Sequence, residues 1–179
     1  MNFSVIIALM KIPGHKVYYE QATRNILARL KELNLSPEKY KRATDLVVKF
    51  RKAFTSDNVK KATFTTPDSD VWDLGYDSIG FCRVASISFA FAMDFHDWQL
   101  MSIDEKLWSK NMGHHWLKHL PTGKIFDITY DQFTVDGIEF PYHLGHEARF
   151  YLSSEDETHK FVESLGMSIK ELLMEDKSK

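Results

Sequence analysis

At 179 residues, with 44% hydrophobic and 27% charged positions, the chain is long enough to bury one real core and short for two domains. A net charge of −2, from 23 Lys and Arg against 25 Asp and Glu, gives no overall basic field for nucleic acid or an anionic membrane. The single cysteine excludes an intramolecular disulfide and a multi-thiolate zinc site, so that thiol is either a small core residue or a reagent.

The first apolar run, Phe3 to Met10, has no basic residue before it and is far shorter than the ~20 residues that span a bilayer, so it reads as a buried first strand or helix. From Val17 to about Asn34 the apolar residues Tyr18, Ala22, Ile26, Leu30 and Leu33 recur at three and four, the period of a helix with one buried face. Ser36-Pro37-Glu38 supplies a cap and a first-turn proline, and Tyr40, Ala43, Leu46, Val47, Phe50 and Phe54 trace a second amphipathic helix antiparallel to the first. Of Lys39, Lys41, Arg42, Lys49, Arg51, Lys52, Lys60 and Lys61, most fall at helical spacing and read as a solvated face, not a nucleic-acid patch. Between Thr55 and Ile79, Pro67, Asp68, Ser69, Asp70 and Gly75 mark a turn-rich loop, with a short strand predicted near Thr63 to Thr65.

Val84 to Met93 is apolar nearly all round, which predicts a buried helix with Cys82 in its first turn. Trp98 to Ile103, His114 to Leu120 and Lys124 to Ile128 read as short strands, the last two joined by a hairpin through Pro121-Thr122-Gly123. A helix feeding antiparallel strands is an α+β pattern. Residues 130–147 read as irregular, and two helices are predicted from Glu155 to Leu165 and from Ser168 to Glu175, with Gly166 as the stop between them. The organisation expected is one domain over 1–179: a mainly helical part, 1–60, a catalytic core, 61–150, and C-terminal helices, 151–179.

The chemistry gathers around Gly80-Phe81-Cys82-Arg83-Val84-Ala85-Ser86, followed by Gly113-His114-His115-Trp116 and then by Phe126-Asp127-Ile128-Thr129. That order is nucleophile, base and orienter: a thiol attacks as thiolate, and needs an imidazole for its proton and a third polar group to hold the imidazole. In a helix's first turn, unpaired N–H groups and the positive dipole end also favour thiolate. In an extended strand His114, Trp116 and Lys118 point to one face and His115, Leu117 and His119 to the other, so alternation lets only one of the adjacent histidines face Cys82. The hairpin sets Asp127 beside the histidine strand, where its carboxylate would fix the imidazole tautomer. A rival reading takes His114, His115, His119, His143, His146 and Asp127 as zinc donors, although no H-E-x-x-H pattern is present.

Gly80-Phe81-Cys82-Arg83 resembles the G-x-C-R motif of bacterial transglutaminase-like proteins, members of the wider papain-like group of cysteine enzymes. Gly113-His114-His115-Trp116-Leu117 resembles their H-x-W strand, and Asp127-Ile128-Thr129 their D-P-T segment with isoleucine for proline. The similarity spans about residues 75–133. It implies a papain-like fold, with a nucleophile helix packed on a small antiparallel sheet, flanked by the N-terminal helical pair and the C-terminal helices. By the same resemblance Cys82 is the nucleophile, His114 the general base and acid, and Asp127 the orienter, with His115 the alternative base if the register slips by one. Papain-like enzymes draw an oxyanion donor from upstream of the cysteine, where Trp72, Asp73, Tyr76 and Ser78 stand; Trp72 and Tyr76 carry suitable N–H and O–H groups. Trp116, Gln132 within Tyr130-Asp131-Gln132-Phe133, and Pro141-Tyr142-His143-Leu144-Gly145 read as walls of the cleft.

The function expected is a cysteine acyl-transfer enzyme hydrolysing a peptide, isopeptide or glutamine-like amide. The alternatives are a protein-interaction module that keeps the fold without turnover, or a zinc hydrolase. A protein or peptide substrate is expected, with no cofactor, nucleic acid or membrane partner, in the reducing cytoplasm that a free thiol suits.

Overall fold

The computed structural model describes residues 15–64, 78, 80–104, 113–134, 139–150 and 157–170. The expected first strand or helix at Phe3 to Met10 lies outside them. Helix α1, His15–Leu30, continues into a 3-10 turn, Lys31–Leu33, and stops where Asn34 takes a left-handed φ of 52°. Its buried stripe is Ala22, Ile26, Leu30 and Leu33, as the periodicity predicts. Helix α2, Pro37–Phe54, starts at Ser36, whose side chain accepts a hydrogen bond from the Lys39 backbone N–H, with Pro37 in the first turn. It packs on α1 through Ala43, Val47 and Phe50.

The stretch from Thr55, read as a turn-rich loop, departs from that reading: a short helix α3, Asp57–Thr63, forms within it, while of the strand expected near Thr63 to Thr65, Thr63 ends the helix, Phe64 is extended and Thr65 lies outside the described residues. Ser56 caps it by accepting from the Val59 N–H and Asp57 supplies first-turn negative charge, so local capping outweighs the loop-like composition. Most of the basic residues singled out are solvated, as expected, with Arg51 the clear exception: it is 1% exposed and grips Asp131, while Lys39 is half-buried and pairs with Asp97 at 2.8 Å.

Helix α4, Cys82–Ala92, is buried along most of its length and packs on the sheet. Strands β1, Trp98–Ile103, β2, His114–His119, and β3, Ile125–Phe126, pair antiparallel in that order, β2 and β3 joined by a turn with Gly123 at φ 68°. A fourth strand unannounced by the sequence, β4, His146–Glu147, adds to the free edge of β1, giving the order β3-β2-β1-β4. The fold class is therefore α+β with a small antiparallel sheet, as expected.

Both faces of the sheet are covered. On one, Leu100, Leu117, Trp98 and Phe126 meet Phe89 of α4, with ring centroids 5.4 Å from Trp98 and 4.8 Å from Phe126. On the other, Ile103 and Trp116 meet Phe133 and Phe140. Within 130–147, read as irregular, lie a single helical turn α5, Asp131–Thr134, and a 3-10 turn, Tyr142–Leu144. Helix α6, Glu157–Ser164, ends at Gly166, φ 67°, and inserts Phe161 between Phe50, Phe54 and Phe81. The second C-terminal helix is described only as far as Lys170. Among the described residues no helix is long and apolar enough to cross a membrane.

Candidate active site

The backbone delivers Cys82 to a defined place before any chemistry is considered. Gly80 adopts φ 80°, a conformation L side chains rarely reach, and turns the chain into α4. Phe81 then anchors that turn: it is fully buried, stacked on Phe54 at 4.6 Å and edge-on to Phe64 at 5.1 Å. Cys82 follows as the first residue of α4, half-buried, with the positive end of the helix around its sulfur.

His114 opens β2 and is fully buried between Phe133 and Phe140, at centroid distances of 4.6 and 4.9 Å. Its Nε2 lies 2.8 Å from Asp127 Oδ2, which leaves Nδ1 as the nitrogen directed to the thiol. Asp127, also fully buried, has its acceptor sites filled. Oδ2 accepts from His114 and from the Tyr142 hydroxyl at 2.9 Å; Oδ1 accepts from the Thr129 N–H at 2.9 Å and the Thr129 hydroxyl at 3.1 Å. The Asp-x-Thr spacing thus has a local cause, since an aspartate carboxylate readily bonds the backbone two residues on.

The electrostatics follow from these contacts. Burial alone pushes the Cys82 thiol up, but hydrogen bonding and charge from His114 and His115 outweigh it and bring the thiol from 9.0 down to about 6. Burial pushes His114 down, and the Asp127 carboxylate with the Cys82 sulfur overcomes it, raising the imidazole from 6.5 to about 10. Asp127, against the burial that would raise it, is held below the usual carboxylate range by the His114 charge and by its hydrogen bonds. Both shifts favour the thiolate–imidazolium form of the pair near neutral pH. The coupling of the sulfur to His114 is longer than an ordinary hydrogen bond, since among the described residues Nδ1 closes none.

One expectation is corrected. Both adjacent histidines act on Cys82, although strand alternation was read as excluding one of them. Alternation does send His114 with Trp116 to the aromatic face and His115 with Leu117 to the α4 face. Yet β2 begins at His114, so Cys82 meets the end of the strand and rings from both faces reach it. His115 is half-buried, its Nε2 3.4 Å from the Ser102 hydroxyl.

Of the remaining candidates, Trp116 is 1% exposed and packs beside His114, so it supports the imidazole more than it lines an open cleft. Gln132 is buried, and its amide donates to the Ser78 carbonyl, tethering the segment that leads into Cys82. Trp72, Asp73 and Tyr76 lie outside the described residues. Tyr142, read from sequence only as part of a cleft wall, instead touches Asp127. Among the described residues no three His, Cys, Asp or Glu side chains are grouped to hold a metal ion, and His119 lies against Thr122 and Trp98. No family model matches this chain, and neither a curated protein nor a solved structure matches it.

Proposed function

We propose that the chain is a cysteine-dependent acyl-transfer enzyme of the papain-like, transglutaminase-like type, acting on a peptide, isopeptide or glutamine-like amide. One observation carries the reading: a thiol at a helix start, lowered to about 6 by an imidazole whose far nitrogen is bound to a saturated, buried carboxylate. A structural cysteine has no need of that arrangement.

In the proposed reaction the Cys82 thiolate forms a C–S bond to the amide carbonyl, and the carbonyl electron pair moves onto oxygen. Helix N–H groups around Cys82 are placed to receive that charge. As the C–N bond breaks, His114 Nδ1 gives its proton to the departing amine. Water then attacks the thioester with His114 as base, releasing the acid and restoring the thiolate. The D-x-T segment keeps the imidazole oriented throughout.

The decisive experiment is alkylation by iodoacetamide at about pH 6.5, where an ordinary thiol is almost wholly protonated. The expected result is rapid, single-site labelling, lost in Cys82→Ala, together with thioester capture of Cys82 by a glutamine-amide or ubiquitin-like isopeptide probe. Labelling no faster than that of a free thiol would falsify the reading.

A further inference from the structure

We propose that Tyr142 is a positioning residue of this site: its hydroxyl, clamped by the packing of Gly145 on Trp116, fixes the Asp127 carboxylate that aims His114 at Cys82. The proposal rests on the acyl-transfer reading above and extends it to a segment beyond all three sequence motifs.

The contacts of Tyr142 and of the turn behind it carry it. The Tyr142 hydroxyl donates to Asp127 Oδ2 at 2.9 Å, the oxygen that also receives His114 Nε2. The Tyr142 ring packs edge-on against Trp116 at 5.3 Å and lies 4.6 Å from Phe140, so it has little room to turn away. Gly145 closes the 3-10 turn by donating its N–H to the Tyr142 carbonyl, and a Cβ there would fall 2.2 Å from the Trp116 ring. Only glycine lets the indole lie on that backbone. Immediately after, β4 pairs with β1, His146 opposite Ser102, and Ser102 in turn pairs with His115 on β2. The strand that sets the histidine register therefore also sets the height of Tyr142.

Helix α1 completes the arrangement. Arg29 lies with its guanidinium 4.6 Å over the Tyr130 ring, and its charge acts on the Tyr142 oxygen. The Tyr142 hydroxyl hydrogen goes to Asp127, and the positive charge of Arg29 favours that oxygen's electron-rich side. Thr129 holds one carboxylate oxygen and Tyr142 shares the other. Without the hydroxyl, Asp127 Oδ2 has His114 as its sole anchor and the imidazole gains freedom to tilt.

The test reads the pH profile of Cys82 alkylation in the full chain, where the only thiol is the one of interest. Tyr142→Phe keeps the ring and its packing. It should move the profile midpoint up by about one pH unit, the scale of a hydrogen bond to a charged group. Asp127→Asn should move it further, and Tyr142→Phe should add almost nothing in that background, because it acts through Asp127. Arg29→Gln, which leaves Tyr142 in place, should give a smaller upward shift. A purely structural Tyr142 would lower the melting temperature with the midpoint unmoved, and that outcome overturns the proposal. So does a full additional shift on top of Asp127→Asn. If Asp127→Asn and His114→Ala themselves leave the midpoint in place, the acyl-transfer reading fails instead.

Discussion

Two buried acid–base pairs stand in this fold, and on the proposed reading they do different work. His114 and Asp127 are both 0% exposed and 2.8 Å apart; Arg51 and Asp131 are 1% and 5% exposed, with a closest approach of 2.6 Å. The second pair is a fork: two guanidinium nitrogens bond the two carboxylate oxygens, at 2.6 and 3.1 Å, Nε reaches Thr23 at 3.2 Å, and the Tyr19 ring lies 4.1 Å away. An arginine holds its proton at any accessible pH, so this pair can only fasten α2 to the chain just beyond the site. The histidine pair is as deeply buried, yet one member has a proton to lend. Burial alone does not distinguish a tie from a reagent; the chemistry of the cation does.

That contrast can be broken from either side. The largest effect on turnover is expected for His114→Ala, which removes the proton carrier: turnover of an activated amide per folded molecule should fall about 10³–10⁴-fold, and the melting temperature should drop as well, because Asp127 stays buried without its cation. Arg51→Met should cost stability alone. Leaving Asp131 buried without its partner costs about 3–5 kcal/mol in urea unfolding, and the folded fraction should keep the wild-type alkylation midpoint. Asp127→Asn sits between the two classes, with turnover down about a hundredfold, or about 2.7 kcal/mol of barrier, and the alkylation midpoint raised. Gly145→Ala is the smallest: about 1–3 kcal/mol of stability as the Trp116 ring is pushed aside, read as a lower melting temperature.

The pH dependence sharpens the same comparison through Cys82 and His114. The folded-state value of Cys82 is depressed to about 6, so its contribution to stability is present above 9.0 and lost as pH falls through about 6. His114 is raised to about 10, so its contribution is full below 6.5 and lost as pH rises through about 10. Turnover should therefore hold between about pH 6 and about pH 10 and fall on both sides. A single rise near pH 9 would contradict the pairing.

Much of this was legible in the sequence because its causes are local. The stripe of Ala22, Ile26, Leu30 and Leu33, the Ser36-Pro37 cap, the hairpin at Thr122-Gly123 and the Asp127-Ile128-Thr129 turn each rest on residues a few positions apart. What escaped depends on distant partners or on elements too short to leave a pattern. The burial of Arg51 is decided by Asp131, eighty positions away. Strand β4 has only His146 and Glu147, neither of them a strand former, and exists because β1 offers a free edge. Helix α3 was hidden by a polar face, although the Ser56 cap was there to be read. The effect of His115 on Cys82 comes from the strand end, where period-two reasoning stops distinguishing faces.

The pairing of Ser102 with His115 on one side and with His146 on the other makes β1 a common ruler for the imidazoles and the tyrosine turn. A slip of one residue along it would misplace both, and the thiol would return to ordinary behaviour. In a chain with one cysteine, the speed of labelling near neutral pH is then a census of correctly folded molecules. Refolding followed by pulsed alkylation would register when the sheet finds its alignment, with no added fluorophore.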